Sequence, residues 1–340
     1  MKKVIVIGAG VAGLTAAVRL QKLGYAVQLY EKASQVGGKM NQIKKEGFTF
    51  DVGPTIVMMP DIYKEVFEFC GKNPDDYIPM EKIDPMLKLY FSDDDPLIFS
   101  SDLVELTKTL EGISEEDAQG YFAFLADIYK RYLVAKEAFI MRSFRSFWDF
   151  YNPKSLLNGL KLKTFGDAYS SISKFVKDDR LRKSLAFQTL YIGISPYQGP
   201  SLYTIIPMIE LLYGIHFMKG GMYSLAQGLE RLFIELGGEV FCNTEVQEIL
   251  IENKEAVGIK VDGKNVLADA VVCGADFPYA MKHLVPNEKD RGKYTDKKID
   301  KMDYSCSCFF GFESISWTNF SRDGYAISSL DRSSNSCGVR

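Results

Sequence analysis

Histidine is scarce: the chain has two, His216 and His283, among 340 residues. That argues against a histidine-built metal centre and leaves few partners for a Ser-His-Asp triad. Six cysteines occur, Cys70, Cys242, Cys273, Cys306, Cys308 and Cys337, but never as Cys-x-x-Cys. Zinc ribbons and thioredoxin-type pairs therefore lack their spacing, and dispersed thiols suit a reducing, cytoplasmic compartment. No metal is expected. An excess of positive charge is also missing: 41 Lys and Arg stand against 44 Asp and Glu, a net −3. No global field recruits nucleic acid. Long apolar runs are absent as well. The most apolar late stretch, residues 202–218, contains Pro207, Glu210 and His216, which makes it too short and too polar to span a bilayer. Lys2 and Lys3 before an apolar run imitate a secretory leader. Three glycines and a helical pattern follow at once, which fits a first strand and turn instead.

What is present is an ordinary globular balance, 46% hydrophobic and 25% charged. A chain of this length gives a prior of about two domains. Residues 4–7, Val-Ile-Val-Ile, read as a parallel strand buried on both faces. Gly8-Ala9-Gly10-Val11-Ala12-Gly13 follows, and then a helical pattern with Val11, Leu14 and Val18 on one face and Gly24 placed to end it. Residues 26–30 form a second strand, with Glu31 at its end. Gly8 allows the tight turn, Gly10 lets backbone approach a pyrophosphate, and Gly13 lets helix and strand pack closely. The helix N-terminus faces the phosphate charge, and Glu31 is placed to accept ribose hydroxyls. This combination predicts a dinucleotide site.

Gly37-Gly38-Lys39 and then Gly53-Pro54 follow. The run GAGVAGL, then EKASQVGGK, then GFTFDVGPT resembles the flavin amine oxidase and phytoene desaturase superfamily. There the Gly-Gly-Arg/Lys loop lies along the FAD pyrophosphate. Lys39 keeps the charge of the commoner Arg but loses its two-pronged geometry. Residues 50–72, 185–210 and 217–229 are similar to bacterial carotenoid (phytoene) desaturases, nearest those acting on thirty-carbon precursors such as dehydrosqualene. The resemblance implies a Rossmann-type FAD-binding domain of α/β class with an inserted α+β substrate domain. It implies FAD-dependent desaturation of a polyene in carotenoid biosynthesis. A diapocarotenoid oxygenase, another flavin oxidase on the same fold and an inactive truncated remnant are the alternatives. The cofactor contacts it implies are Gly8, Ala9, Gly10, Gly13, Glu31, Lys32, Gly38, Lys39, Gly53, Pro54 and Val246, the last through its backbone. No catalytic side chain is assigned. The flavin ring would take a hydride, which agrees with the lack of histidine. Asp51, Glu210 and Asp276 are candidate proton acceptors, each with a structural reading that is favoured.

The expected organisation is an FAD-binding domain over 1–83 and 219–285, and a substrate and membrane-facing domain over 84–218 and 286–312. A helix is expected over 222–236 and strands over 239–243, 246–251, 256–261 and 266–273. The Ser-rich tail 313–340 loses pattern, and family members continue past this length, so a missing C-terminal part and uncovered apolar surface are expected. Residues 121–151 hold eleven aromatics, and five basic residues, Lys130, Arg131, Lys136, Arg142 and Arg145, against three acids. That composition fits either a membrane interface or core packing. With a water-insoluble polyene as substrate, peripheral membrane association is expected. Oligomeric state is left open.

Overall fold

The computed structural model describes residues 1–92, 95–140, 166–189 and 193–300, with positions 153, 155, 157, 159 and 162. It divides into two compact units. The first holds Met1–Ile56, Asp61–Met80 and the chain from Phe217 onward; the second holds Val57–Pro60 and Glu81–His216. In chain order the elements begin with β1 (Lys3–Ile7), α1 (Val11–Lys22), β2 (Ala26–Tyr30), β3 (Asn41–Lys45), β4 (Phe48–Val52) and α2 (Pro60–Phe69). Then come β5 (Met80–Ile83), β6 (Leu87–Tyr90), β7 (Pro96–Phe99), α3 (Leu103–Glu111), α4 (Glu115–Ala135), α5 (Ala168–Ser173), α6 (Asp179–Phe187), α7 (Ile205–Tyr213) and β8 (Ile215–Met218). The last are α8 (Tyr223–Glu235), β9 (Glu239–Phe241), β10 (Val246–Glu252), β11 (Glu255–Val261), β12 (Lys264–Leu267), β13 (Ala270–Cys273) and α9 (Asp296–Ile299).

The first unit is built on a parallel sheet of order β13-β1-β2-β9. Val4, Ile5, Val6 and Ile7 are all buried, as a strand covered on both faces requires. Val6 looks toward α1, whose Gly13 lies beside it. Ile5 and Ile7 look the other way, into a cluster with Val246, Ile249, Ile259 and Val261 of the antiparallel sheet β10-β11-β12. Helix α1 ends as expected, with Gly24 at φ +90°. Residues 266–273, expected as one strand, are two. β12 pairs antiparallel with β11, and β13 pairs parallel with β1. The chain changes sheets at Ala268 and Asp269, whose N–H groups donate to the Val257 and Lys3 carbonyls. The run Val-Leu-Ala-Asp-Ala-Val-Val-Cys stays apolar across that step except at Asp269, so its pattern alone does not reveal the change of sheet.

Residues 286–300 belong to the first unit, not to the second as expected. Arg291 is buried there and donates to the carbonyls of Val285 and Pro286. Tyr294 and Ile299 cluster with Met281. Residues 301–340, including Cys306, Cys308, Cys337 and the tail, lie outside the described residues. The β3–β4 hairpin shows solvent one apolar face, Ile43, Phe48, Phe50 and Val52, with Phe48 66% and Phe50 57% exposed.

The second unit is mainly helical. Ser114 caps α4 by accepting the Asp117 N–H. Tyr121, Phe124, Ile128, Tyr132 and Ala135 then recur at helical spacing and are all buried with Leu106, Leu110 and Leu181. Gly120 sits where α4 crosses the Phe175 carbonyl so closely that a Cβ would lie 2.0 Å from it. Asp117 is 5% exposed and accepts from the N–H groups of Lys177 and Asp178 and from the Ser114 hydroxyl. Burial alone pushes its carboxyl up; those donors outweigh it and hold the group below the usual range.

Candidate dinucleotide site

The N-terminus of α1 is open. Gly10 stands at its N-cap without a side-chain capping bond, and no acid occupies the first turn. A Cβ on Gly10 would meet nothing within 4 Å, so backbone is presented to free space. Gly8 takes φ +89°, and its N–H donates to the Tyr30 carbonyl at 2.7 Å. A Cβ on Gly13 would lie 1.9 Å from the Gly8 carbonyl oxygen, so only glycine fits there. Positive partial charge at the helix end, first-turn N–H groups that have no partner within the helix, and space suit a pyrophosphate.

Glu31 is 9% exposed at the end of β2. Its Oε2 accepts the Ala9 N–H at 2.7 Å, and its Oε1 accepts the Ala33 N–H at 2.9 Å. The carboxylate is thus fixed beside the glycine loop, with lone pairs left for further donors. Its backbone receives the Thr244 N–H at 2.9 Å, which brings the start of β10 to the same place. Val246, two residues on, buries its side chain among Tyr30, Ile5 and Ile259, and its backbone pairs with Val261 of β11.

The second glycine pair is brought onto the first. The Gly37 N–H donates to the Ala9 carbonyl at 2.8 Å, and Gly37 pairs with Gly10. A Cβ on Gly38 would lie 3.1 Å from the Gly10 α-carbon. Gly53 is held against the Lys39 carbonyl, 2.7 Å from where its Cβ would be. Gly8, Ala9, Gly10, Gly13, Glu31, Gly38, Lys39 and Gly53 therefore form one cradle within the first unit. Lys32 does not converge with them: it is exposed, with its ammonium 5.0 Å from the centre of the Tyr279 ring. Pro54 is exposed beside Gly53. Gly37 of the Gly-Gly-Lys loop joins the cradle, and two residues that sequence reasoning did not assign to the site, Tyr223 and Gly274, complete it. Tyr223 lies where a Gly37 Cβ would be, at 2.9 Å, and Gly274 packs on the Gly13 α-carbon. Nothing local in the sequence marks Tyr223 or Gly274.

The three candidate proton acceptors are held by the protein. Asp276 caps a helical turn by accepting the Tyr279 N–H. Asp51 accepts the Met222 N–H at 3.1 Å. Glu210, 2% exposed in the second unit, accepts from the Gln188 amide, and its charge adds to burial in pushing the Tyr121 phenol up. Burial raises the Cys273 thiol to about 11; burial also leads the upward shifts at Cys70 and Cys242, so none is a ready thiolate. No group of metal-binding side chains occurs among the described residues.

In the described half of 121–151, the aromatic stripe is core. Tyr121, Phe124 and Tyr132 are buried, and so is Arg131, which pairs with Asp127. Tyr129, Lys130 and Leu133 are exposed, while Arg142 and Arg145 lie outside the described residues. Among the described residues no helix is long and apolar enough to cross a membrane.

A parallel sheet, a glycine turn into an open helix and an acid at the second strand's end define a dinucleotide-binding protein of the flavoenzyme type. Residues 11–336 match the family described as flavin containing amine oxidoreductase, and the chain belongs to that family. FAD is the cofactor this membership assigns, and the cradle's open backbone fits it. The chain is 51% identical over 314 residues to the 4,4'-diapophytoene desaturase (4,4'-diaponeurosporene-forming) of Staphylococcus haemolyticus, covering 92% of this chain and 63% of that one. It is 48% identical over 315 residues to the protein of the same name in Staphylococcus aureus (strain Newman), with the same coverage. The chain thus spans 63% of the length of these relatives. Among solved structures, a Pyrococcus furiosus protein shares the fold at TM-score 0.60 and 17% identity, covering 88% of this chain and 65% of that one. An oxidoreductase from Methanosarcina mazei does so at TM-score 0.58 and 19% identity, with the same coverage.

Proposed function

We propose that this chain carries the FAD-binding and substrate portions of a desaturase that removes hydrogen from a CH–CH pair of a thirty-carbon polyene in carotenoid biosynthesis. The observation that carries it is the glycine cradle in a chain 51% identical to a 4,4'-diapophytoene desaturase. Bound FAD supplies the hydride acceptor. Gly8, Gly10 and the open end of α1 hold the pyrophosphate, Glu31 the ribose, and Lys39 adds charge beside Gly53. Val246 offers backbone to the adenine; Lys32 and Pro54 stand at the exposed rim. The first unit is then the cofactor domain and the second the substrate domain, whose buried helices exclude water. The relatives named above give no support to an oxygenase on the same fold.

The test supplies the purified chain with FAD and 4,4'-diapophytoene in lipid vesicles and follows the pigment by chromatography and visible absorption. Formation of 4,4'-diaponeurosporene supports the reading. A flavin-loaded chain that leaves the substrate unchanged refutes it. The substrate is insoluble in water, so we further propose peripheral docking on lipid in the cytoplasm, aided by the exposed Tyr129, Lys130 and Leu133 of α4.

A further inference from the structure

Asp51 lies on β4, two residues before Gly53, and its carboxylate crosses to the start of α8. Oδ2 accepts the Met222 N–H at 3.1 Å. The two oxygens lie flat against Gly221: a Cβ there would be 2.5 Å from Oδ2 and 2.6 Å from Oδ1. Oδ1 is sealed from solvent and makes no hydrogen bond. Gly220 and Gly221 both take φ +86°, so this turn has a backbone that glycine adopts readily. Helix α8 has no acid in its own first turn. Asp51 therefore places the negative charge at that positive helix end from another element.

These contacts close a circuit. Met222 leads into Tyr223, which fills the space beneath Gly37. Gly37 pairs with Gly10 and donates to Ala9. Gly53, on Asp51's own segment, rests on the Lys39 carbonyl. All four glycine-bearing segments are thereby joined, and the side chains of Asp51 and Tyr223 link them. A neutral acceptor would satisfy one N–H; the carboxylate also answers the helix end and fixes the Gly221 turn.

We propose that Asp51 is a positioning residue for FAD: it holds the Gly220–Gly221 turn and the start of α8 so that the cradle is formed before the dinucleotide arrives. The proposal rests on the FAD reading above. The experiment titrates the full chain with FAD, following flavin fluorescence, with circular dichroism to confirm folding. D51A is expected to weaken FAD binding by about tenfold or more, because a donor and a helix end lose their partner. D51N keeps an acceptor but not the charge and is expected to recover part of that loss. G221A, whose new Cβ strikes the carboxylate, is expected to weaken binding too, and D51A/G221A to lose less than the product of the two single effects. A folded D51A that binds FAD like the wild type overturns the proposal alone, as does D51N binding as weakly as D51A, or single effects that multiply. Should D51A not fold, G221A decides: unchanged affinity overturns the proposal. A wild-type chain that binds no FAD overturns the functional reading and this one with it.

Discussion

Replacing Glu31 by alanine separates two duties of one carboxylate. In the structure it accepts the Ala9 N–H in a buried bond and the Ala33 N–H in a partly buried one. A hydrogen bond to a charged group contributes about 1.5–3 kcal/mol, and an exposed one toward the lower end. Losing both should cost the first unit roughly 3–4 kcal/mol of stability even without cofactor. If the remaining lone pairs also hold ribose hydroxyls, FAD affinity should fall by a further 1.5–3 kcal/mol or so, which is about 10- to 150-fold. The two effects are measured apart. Urea unfolding followed by circular dichroism reads the first, and flavin-fluorescence titration at low urea, where the variant is folded, reads the second. The isosteric E31Q keeps one acceptor oxygen and should fall between wild type and alanine in both. If E31A is destabilised yet binds FAD as the wild type does, the carboxylate is only a strut for the Ala9 turn, and its ribose role is wrong.

Three further outcomes are expected. G120A gains up to about 1 kcal/mol of helix propensity but drives a methyl into the Phe175 carbonyl, so chemical denaturation should show a net loss of about 2 kcal/mol or more. D117A should cost about 2–4 kcal/mol near neutral pH by stranding the Lys177 and Asp178 N–H groups. Because the folded carboxyl titrates below its unfolded value, that stabilisation is present above about pH 4 and lost as pH falls through the folded value; the gap between wild type and D117A should narrow in unfolding curves taken in acid. The chain should sediment with anionic vesicles at low salt, less so at high salt, and the Tyr129→Ser and Leu133→Ser pair should weaken it. A chain free in solution at low salt would remove the membrane reading.

The first strand, turn, helix and second strand were legible because each follows from neighbours in the chain: β-branched residues at 4–7, glycines at fixed offsets, and Gly24 as a stop. The ends of α8, Tyr223 and Glu235, fall within one residue of the expected 222–236 for the same reason. Tertiary facts were not legible. The step at Ala268 and Asp269 depends on Val257 and Lys3, residues far along the chain for the second of them. Tyr223 beneath Gly37 depends on two segments that share no local pattern. Residues 286–300 join the first unit through Arg291, whose buried side chain looks like an ordinary surface charge in sequence. The stripe from Tyr121 to Tyr132 had the right spacing for core or for an interface, and burial alone separates these.

The cradle and the turn that Asp51 braces are defined by atoms that are missing: at Gly13, Gly37, Gly53 and Gly221 a single added carbon would overlap a neighbour. That has a consequence at the level of the gene. Every glycine codon begins with two guanines, and any single-base change at either of those positions encodes a residue with a Cβ or a stop. Third-base changes are silent. These four positions therefore lack a mild intermediate: a point mutation there either leaves the protein unchanged or inserts an atom where none fits, and the gene has no gradual path of substitution through its cofactor loop.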